Sequence, residues 1–380
     1  MKIGILSLPM WNNYGGILQA YALQSVLKDL GHETEFINRH HPKPSFISEK
    51  KNKFKRFLKQ NLISKENTVF YPDYRQKNYI STNTLEFIKR EIKPITAVLV
   101  ENDHMKSIGE NYDAIIVGSD QVWRPRYVPD IYNYFLDFAS EDVIKISFAA
   151  SFGTDKWEYS PEETKVCRRL LQNFNRVSVR EDSAVALVKE KFNVKAEHTL
   201  DPTMLLDKSR YLDLVRKYEK ERPSKGDLFT YILDSNLDND TIVGKVSSRL
   251  NLKPFEVMPK PFDKDFNHEV QEYIFPQLTK WLKAFNDAEF VIADSFHGCV
   301  FSIIFNKPFI AIGNKERGLA RFKSLLKMFQ LEDRLILSPA ELNEDLIDSK
   351  INWTTVNGIL ENKKKVSFSF LQEALTEKEK

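Results

Sequence analysis

The stretch from residue 288 to 313, AEFVIADSFHGCVFSIIFNKPFIAIG, leaves the surrounding chain few choices of fold. Phe290 to Ala293 is a short apolar run suited to a buried strand, Asp294 and Ser295 can cap a helix, and Val300 to Phe305 continue that helix. Lys307 and Pro308 end it before a second apolar run, Phe309 to Gly313. This is a strand, helix, strand unit of a parallel sheet.

In such a unit the turn after the first strand lies at the carboxyl edge of the sheet, where open α/β folds bind ligands. His297 falls there, in the first turn of the helix. The positive end of a helix favours a neutral imidazole able to exchange a proton, and the same N–H groups could hold an anion. The plainer reading is that Asp294 and Ser295 only cap the helix and His297 is a packed, hydrogen-bonded ring. The pattern alone leaves both open.

At 380 residues the chain exceeds what one hydrophobic core usually serves, so two domains are expected. Apolar residues at 42% and charged residues at 29% give the balance of a globular protein rather than a disordered or fibrous one. Lys and Arg number 56 against 53 Asp and Glu, too small a surplus to imply nucleic acid as a partner. The N-terminus, MKIGILSLPMWNN, reads as a first strand without the longer apolar region of a signal peptide, and no stretch is long enough to span a bilayer. Cys167 and Cys299 are the only cysteines and show no metal-ligand spacing. Together these features predict a reduced, cytoplasmic protein with no metal and no cofactor.

Lys2 to Leu8 reads as a buried strand, Pro9 to Gly16 as a loop, Ile17 to Leu30 as a helix closed by Gly31, and Thr34 to Asn38 as a second strand. The loop Asn12-Asn13-Tyr14-Gly15-Gly16 is neither a dinucleotide fingerprint nor a phosphate loop of the Walker type. Its glycines would let a ligand approach the backbone at a helix start, or simply serve a tight turn. From Pro42 to Asn83 the pattern weakens, and Lys50, Lys51, Lys53, Lys55, Arg56 and Lys59 crowd one stretch. A basic insertion of this kind could touch an anionic lipid surface or a polyphosphate-linked acceptor; a solvated charged face is the simpler account.

Order returns at YDAIIVGSD, residues 112 to 120, an apolar strand that carries Asp120 to the same edge as the opening loop. Trp123 follows and offers a flat apolar surface for a sugar ring, or a rim packing residue. Arg180 stands at the end of strand Arg176 to Val179, where it could fork onto a carboxylate or phosphate of a ligand, or pair internally with Glu181 or Asp182. HTLDPTM, residues 198 to 204, resembles the last strand of a first half, broken by Asp201-Pro202. The expected division is a first Rossmann-like domain over 1–205, a linker over 206–222, a second Rossmann-like domain over 223–350, and a C-terminal helix and tail over 351–380. Arg317 and Arg321 are four apart at a helix start, so both can point one way and clamp an anion near His297, or merely decorate a surface helix.

The segments NNYGGILQAYAL, VGSDQVW, SFAASFG, VSVRED, LDPTMLL and DSFHGCVFSIIFNKPF together carry a resemblance to the polysaccharide pyruvyltransferase family, and their order covers most of the chain. The resemblance implies two Rossmann-like domains facing across a cleft, similar to type-B glycosyltransferases. It also implies transfer of the enolpyruvyl group of phosphoenolpyruvate onto two hydroxyls of one sugar in a polysaccharide or lipid-linked glycan precursor, giving a cyclic pyruvate ketal; the expected place is the cytoplasm, either free or at the inner face of the membrane. Asp120 and His297 then match catalytic positions, and Arg180, Ser295, Gly298, Arg317 and Arg321 a donor site. Asn13, Tyr14, Gly15, Gly16 and Trp123 fall on the acceptor side. Many members show Arg-Leu-His-Gly where this chain has Ser295-Phe296-His297-Gly298, so the cation beside the histidine must come from elsewhere, Arg317 or Arg321 being placed to supply it. Two rival readings use the same cleft: a glycosyltransferase with a nucleotide-sugar donor, and a non-catalytic glycan-binding member of the fold.

Overall fold

A computed structural model describes residues 1–42, 72–220, 224–234, 236–261, 266, 270–314 and 318–376. Its two halves each contain one fully parallel sheet. In the first, β1 (Lys2–Leu6), β2 (Glu33–Ile37), β3 (Ala114–Asp120), β4 (Ile144–Ala150), β5 (Arg176–Val179) and β6 (Glu197–His198) lie in the order β2-β1-β3-β4-β5-β6. In the second, β7 (Leu228–Tyr231), β8 (Pro254–Glu256), β9 (Phe290–Ala293), β10 (Phe309–Ile312) and β11 (Leu335–Ile336) lie in the order β11-β10-β9-β7-β8. Every residue of β3, β4, β9 and β10 is buried. Largely apolar runs in these strands, broken in β3 and β4 by a few buried polar residues, are the consequence of helices covering both faces of a parallel sheet.

Strand order reverses between β1 and β3 in the first sheet and between β7 and β9 in the second. Such reversals open a crevice beyond the carboxyl ends of the strands, because the connecting helices depart to opposite faces. The loop before helix Tyr14–Asp29 follows β1, and Asp120 ends β3; His297 follows β9. Topology therefore gathers these residues at two crevices, one in each sheet.

Several side chains tie the halves together. Tyr14, 1% exposed, packs against Trp281 with ring centroids 5.7 Å apart, and its hydroxyl donates to the Pro276 carbonyl at 2.7 Å. The segment expected to be a linker contains the helix Lys208–Tyr218, whose buried Tyr211 donates to the Thr203 carbonyl at 2.7 Å. The final helix, Trp353–Thr376, returns to the first half: Phe370 meets Phe148 at 6.0 Å, and the Leu200 N–H donates to Ser367 Oγ at 3.1 Å.

Strand β6 is shorter than HTLDPTM suggested because Asp201 turns the chain, accepting from the Thr203 N–H at 3.0 Å and starting the short helix Pro202–Leu205. Of the region from 42 to 83, residues 43–71 and hence all six basic residues named above lie outside the described residues. Helix Tyr74–Ile80 begins beyond them on a capping box between Asp73 and Gln76. No described helix is long and apolar enough to cross a membrane.

Candidate functional site

The facing crevices meet in a cleft of about 320 Å³ lined by residues of both halves, including Asn13, Gly15, Asp120 and Tyr127 from the first and Ser295, His297 and Arg321 from the second. Asn13 caps the first helix, accepting from the Gly16 N–H at 3.1 Å, while its Nδ2 donates to Asp120 Oδ2 at 3.3 Å. Asp120 has φ 66°, a left-handed conformation that a non-glycine residue holds only where its surroundings fix it. The surroundings here are Asn13 and Arg180.

Ser295 caps the helix Phe296–Ile304, accepting from the Gly298 N–H at 3.0 Å, and so directs His297 out of the first turn toward the other half. There the imidazole settles on Gly15. A Cβ built on Gly15 would stand 2.0 Å from Nδ1 of His297, so only glycine permits this contact across the cleft. His297 Nε2 is buried and turned to Asp201 Oδ2 at 3.5 Å. That separation exceeds an ordinary N–H···O bond, and catalytic hydrogen bonds commonly shorten when substrate arrives. With Asp201 at Nε2, Nδ1 lies against Gly15 at the margin of the cleft that His297 lines.

Asp201 also accepts from Arg180 Nη1 at 2.8 Å, and Arg180 Nη2 donates to Asp120 Oδ1 at 3.3 Å. Arg180 therefore joins the two carboxylates that flank the cleft, with its guanidinium 4.3 Å from the centre of the Phe296 ring. Burial opposes the charge on Arg180, but Asp201, Asp120 and Glu181 more than restore it. Burial alone would push the Asp201 carboxyl up; His297 and Arg180 reverse this and hold it well below the usual range. Breaking such a buried pair strands a charge, typically at a cost of about 3–5 kcal/mol.

A carboxyl held low in the folded state contributes stability that is complete above the ordinary Asp pKa of 3.8 and lost as pH falls toward the folded value. Thermal unfolding measured against pH is expected to show a steeper fall in Tm below about pH 4 for the wild type than for Asp201→Asn. Parallel curves would remove Asp201 as a source of acid lability.

Other expectations are corrected. Trp123 is wholly buried, its ring stacked on Phe135 at 5.1 Å and its Nε1 donating to the Tyr134 carbonyl, so it offers no surface to a sugar. Tyr14 is spent on holding the halves together, and Gly16 lies behind the lining among buried residues. Gly298 is a packing residue, since a Cβ there would meet that of Ala293 at 2.5 Å. Arg180 is buried behind the lining rather than exposed to it, and its partners are Asp120 and Asp201; Asp182 instead pairs with Lys327 at 3.2 Å. Arg317 lies outside the described residues.

Arg321 does line the cleft. Burial and the neighbouring Arg180 push its pKa down to about 10, and the charge of an anion entering the cleft would offset both. Asp201 and Glu181 complete the cluster. Glu181 is 2% exposed, accepts from Ser151 Oγ and from the Gly153 N–H at 3.2 Å, and its carboxyl is raised by burial. LDPTM carried the only sequence signal for Asp201, and it read there as a strand breaker.

A family model described as polysaccharide pyruvyl transferase matches residues 13–316. No curated protein matches the chain. Among solved structures, UGT73P12 of Glycyrrhiza uralensis, complexed with glycyrrhetinic acid 3-O-monoglucuronide, is 8% identical, with a TM-score of 0.50 over 100% of this chain and 95% of the other. The UDP-GlcNAc 2-epimerase of Neisseria meningitidis, bound to UDP-GlcNAc, is 11% identical, with a TM-score of 0.44 over 98% of this chain and 100% of that one. At 8% identity the plant enzyme speaks for the fold alone, two parallel-sheet halves arranged as in type-B glycosyltransferases.

Proposed function

The chain belongs to the polysaccharide pyruvyl transferase family, and from that premise we propose that its cleft moves the enolpyruvyl group of phosphoenolpyruvate onto two hydroxyls of one sugar in a glycan or lipid-linked precursor. The observation that carries the reading is that His297 and Arg321 from one half and Asp120 from the other line the same cleft.

Each group has a task in that chemistry. Phosphoenolpyruvate brings a phosphate and a carboxylate, which Arg321 and the N-terminus of the helix Phe296–Ile304 suit. A proton delivered to the methylene carbon leaves an oxocarbenium-like centre at the adjacent carbon. A sugar hydroxyl attacks there and gives up its proton; a second hydroxyl displaces phosphate, its proton leaving with that phosphate, and closes the ketal. His297 supplies and recovers protons through Nδ1, with Asp201 steadying the ring from Nε2, as a carboxylate fixes the tautomer of a catalytic histidine elsewhere. Asp120, braced by Arg180 and Asn13, orients the acceptor hydroxyl.

Calorimetric titration separates this from nucleotide-sugar transfer. The wild type is expected to bind phosphoenolpyruvate, and Arg321→Gln to weaken that binding by about 10- to 100-fold, the range for a charge-assisted contact. Binding of a nucleotide sugar with none of phosphoenolpyruvate would reject the proposal.

A further inference from the structure

We propose that Tyr127 is the platform on which the acceptor sugar lies, an inference that rests on the glycan-directed reading above. With Trp123 buried, the aromatic residues lining the cleft are Tyr127, Tyr231, Phe296 and Phe322. Tyr231, Phe296 and Phe322 are 5%, 4% and 2% exposed, whereas Tyr127 is 39% exposed. Among the described lining residues it is the ring with area left for a ligand.

The ring is also held in place. Tyr127 ends the short helix Pro125–Tyr127, which follows closely on Asp120. Arg124 lies over the ring, its guanidinium 4.8 Å from the centroid and its Nη1 donating to the Tyr127 hydroxyl at 3.3 Å, and the more exposed Arg126 guanidinium stands 5.4 Å from the same centroid, where a ligand would have to share the ring with it or displace it. Arg124 is itself 3% exposed and gripped by both oxygens of Glu158 at 2.9 Å. A partly exposed aromatic side chain on such a backing loses little freedom when a ligand covers it.

The chemistry matches a pyranose. One face of a sugar ring presents C–H groups that lie well on an aromatic surface, while its hydroxyls reach sideways for planar polar groups. Asn13, Asp120 and Gln121 share the wall with Tyr127 and supply them. The anionic donor is drawn instead to Arg321 and the helix start beside His297, on the opposite half. Acceptor and donor thus approach from the two sides of the cleft.

The probes are the methyl glycosides of glucose, galactose, mannose and N-acetylglucosamine, used both as acceptors in phosphate-release kinetics and as ligands in saturation-transfer NMR without donor. Tyr127→Ala is expected to raise acceptor KM by about tenfold or more, with phosphoenolpyruvate KM and kcat within about twofold, while Tyr127→Phe and Tyr127→Trp stay near wild type. Saturation transfer to ring protons is expected in the wild type and lost in Tyr127→Ala. A rise in donor KM instead, an unchanged acceptor KM, a Tyr127→Phe variant as impaired as Tyr127→Ala, or no glycoside bound by the wild type would each overturn the assignment. Should phosphoenolpyruvate not be turned over at all, the donor reading fails separately, and donor-free NMR still decides the role of Tyr127.

Discussion

His297→Ala is expected to lose turnover by roughly 10²–10⁴-fold, the range a positioned proton donor contributes, measured as phosphate released from phosphoenolpyruvate in the presence of acceptor glycan. Its melting temperature should fall as well, since Asp201 loses one of the two groups that hold its buried carboxyl low, while Arg180 remains to keep the chain folded. Imidazole added to the variant should recover part of the rate, since the missing ring faced a cleft open to solvent. Retained activity would show that the proton comes from another group and would leave His297 as packing.

Gly15→Ala tests the same geometry from the opposite half. A methyl group at this position would stand 2.0 Å from Nδ1 and 2.2 Å from Cγ of His297, closer than any real contact. The imidazole must turn aside or the halves must part. Since a displacement of about 1 Å in a catalytic group can cost about 10²-fold, turnover is expected to fall by at least that much while the chain remains folded. Imidazole should not rescue this variant, because the native ring still occupies the site in a wrong position. Turnover within about threefold of wild type would mean that the two halves stand further apart in the working enzyme, well short of the displacement penalty.

The parallel architecture was legible because buried strands declare themselves as short apolar runs: β9 falls on the residues expected, and β1, β2 and β10 within one or two. The meeting of Gly15, Asp120 and His297 was legible only in part. Each was placed at a carboxyl edge, but nothing in the spacing of residues 15, 120 and 297 states that two edges face one another. That depends on Tyr14, Trp281 and the returning helix Trp353–Thr376, whose contacts are long-range in sequence.

Trp123 misled for a related reason. Its large amphipathic side chain suits a ligand surface or a core equally, and the choice rests with Phe135, Phe152 and the Tyr134 carbonyl, which enclose it. Arg180 was read as gripping a ligand or pairing with Glu181 or Asp182; its hydrogen-bonded partners are instead Asp120 and Asp201. Asp201, 21 residues on, is brought to it by the pairing of β5 with β6.

The anchoring of Tyr14 beneath the second sheet carries one more implication. The residue that docks the first helix against Trp281 and Pro276 is the immediate neighbour of the one on which the imidazole rests. Alignment of the lobes and placement of the His297 ring are thereby a single mechanical variable: swinging one sheet relative to the other shifts the imidazole against Gly15, so a change that loosens the Tyr14 anchor also unseats that ring.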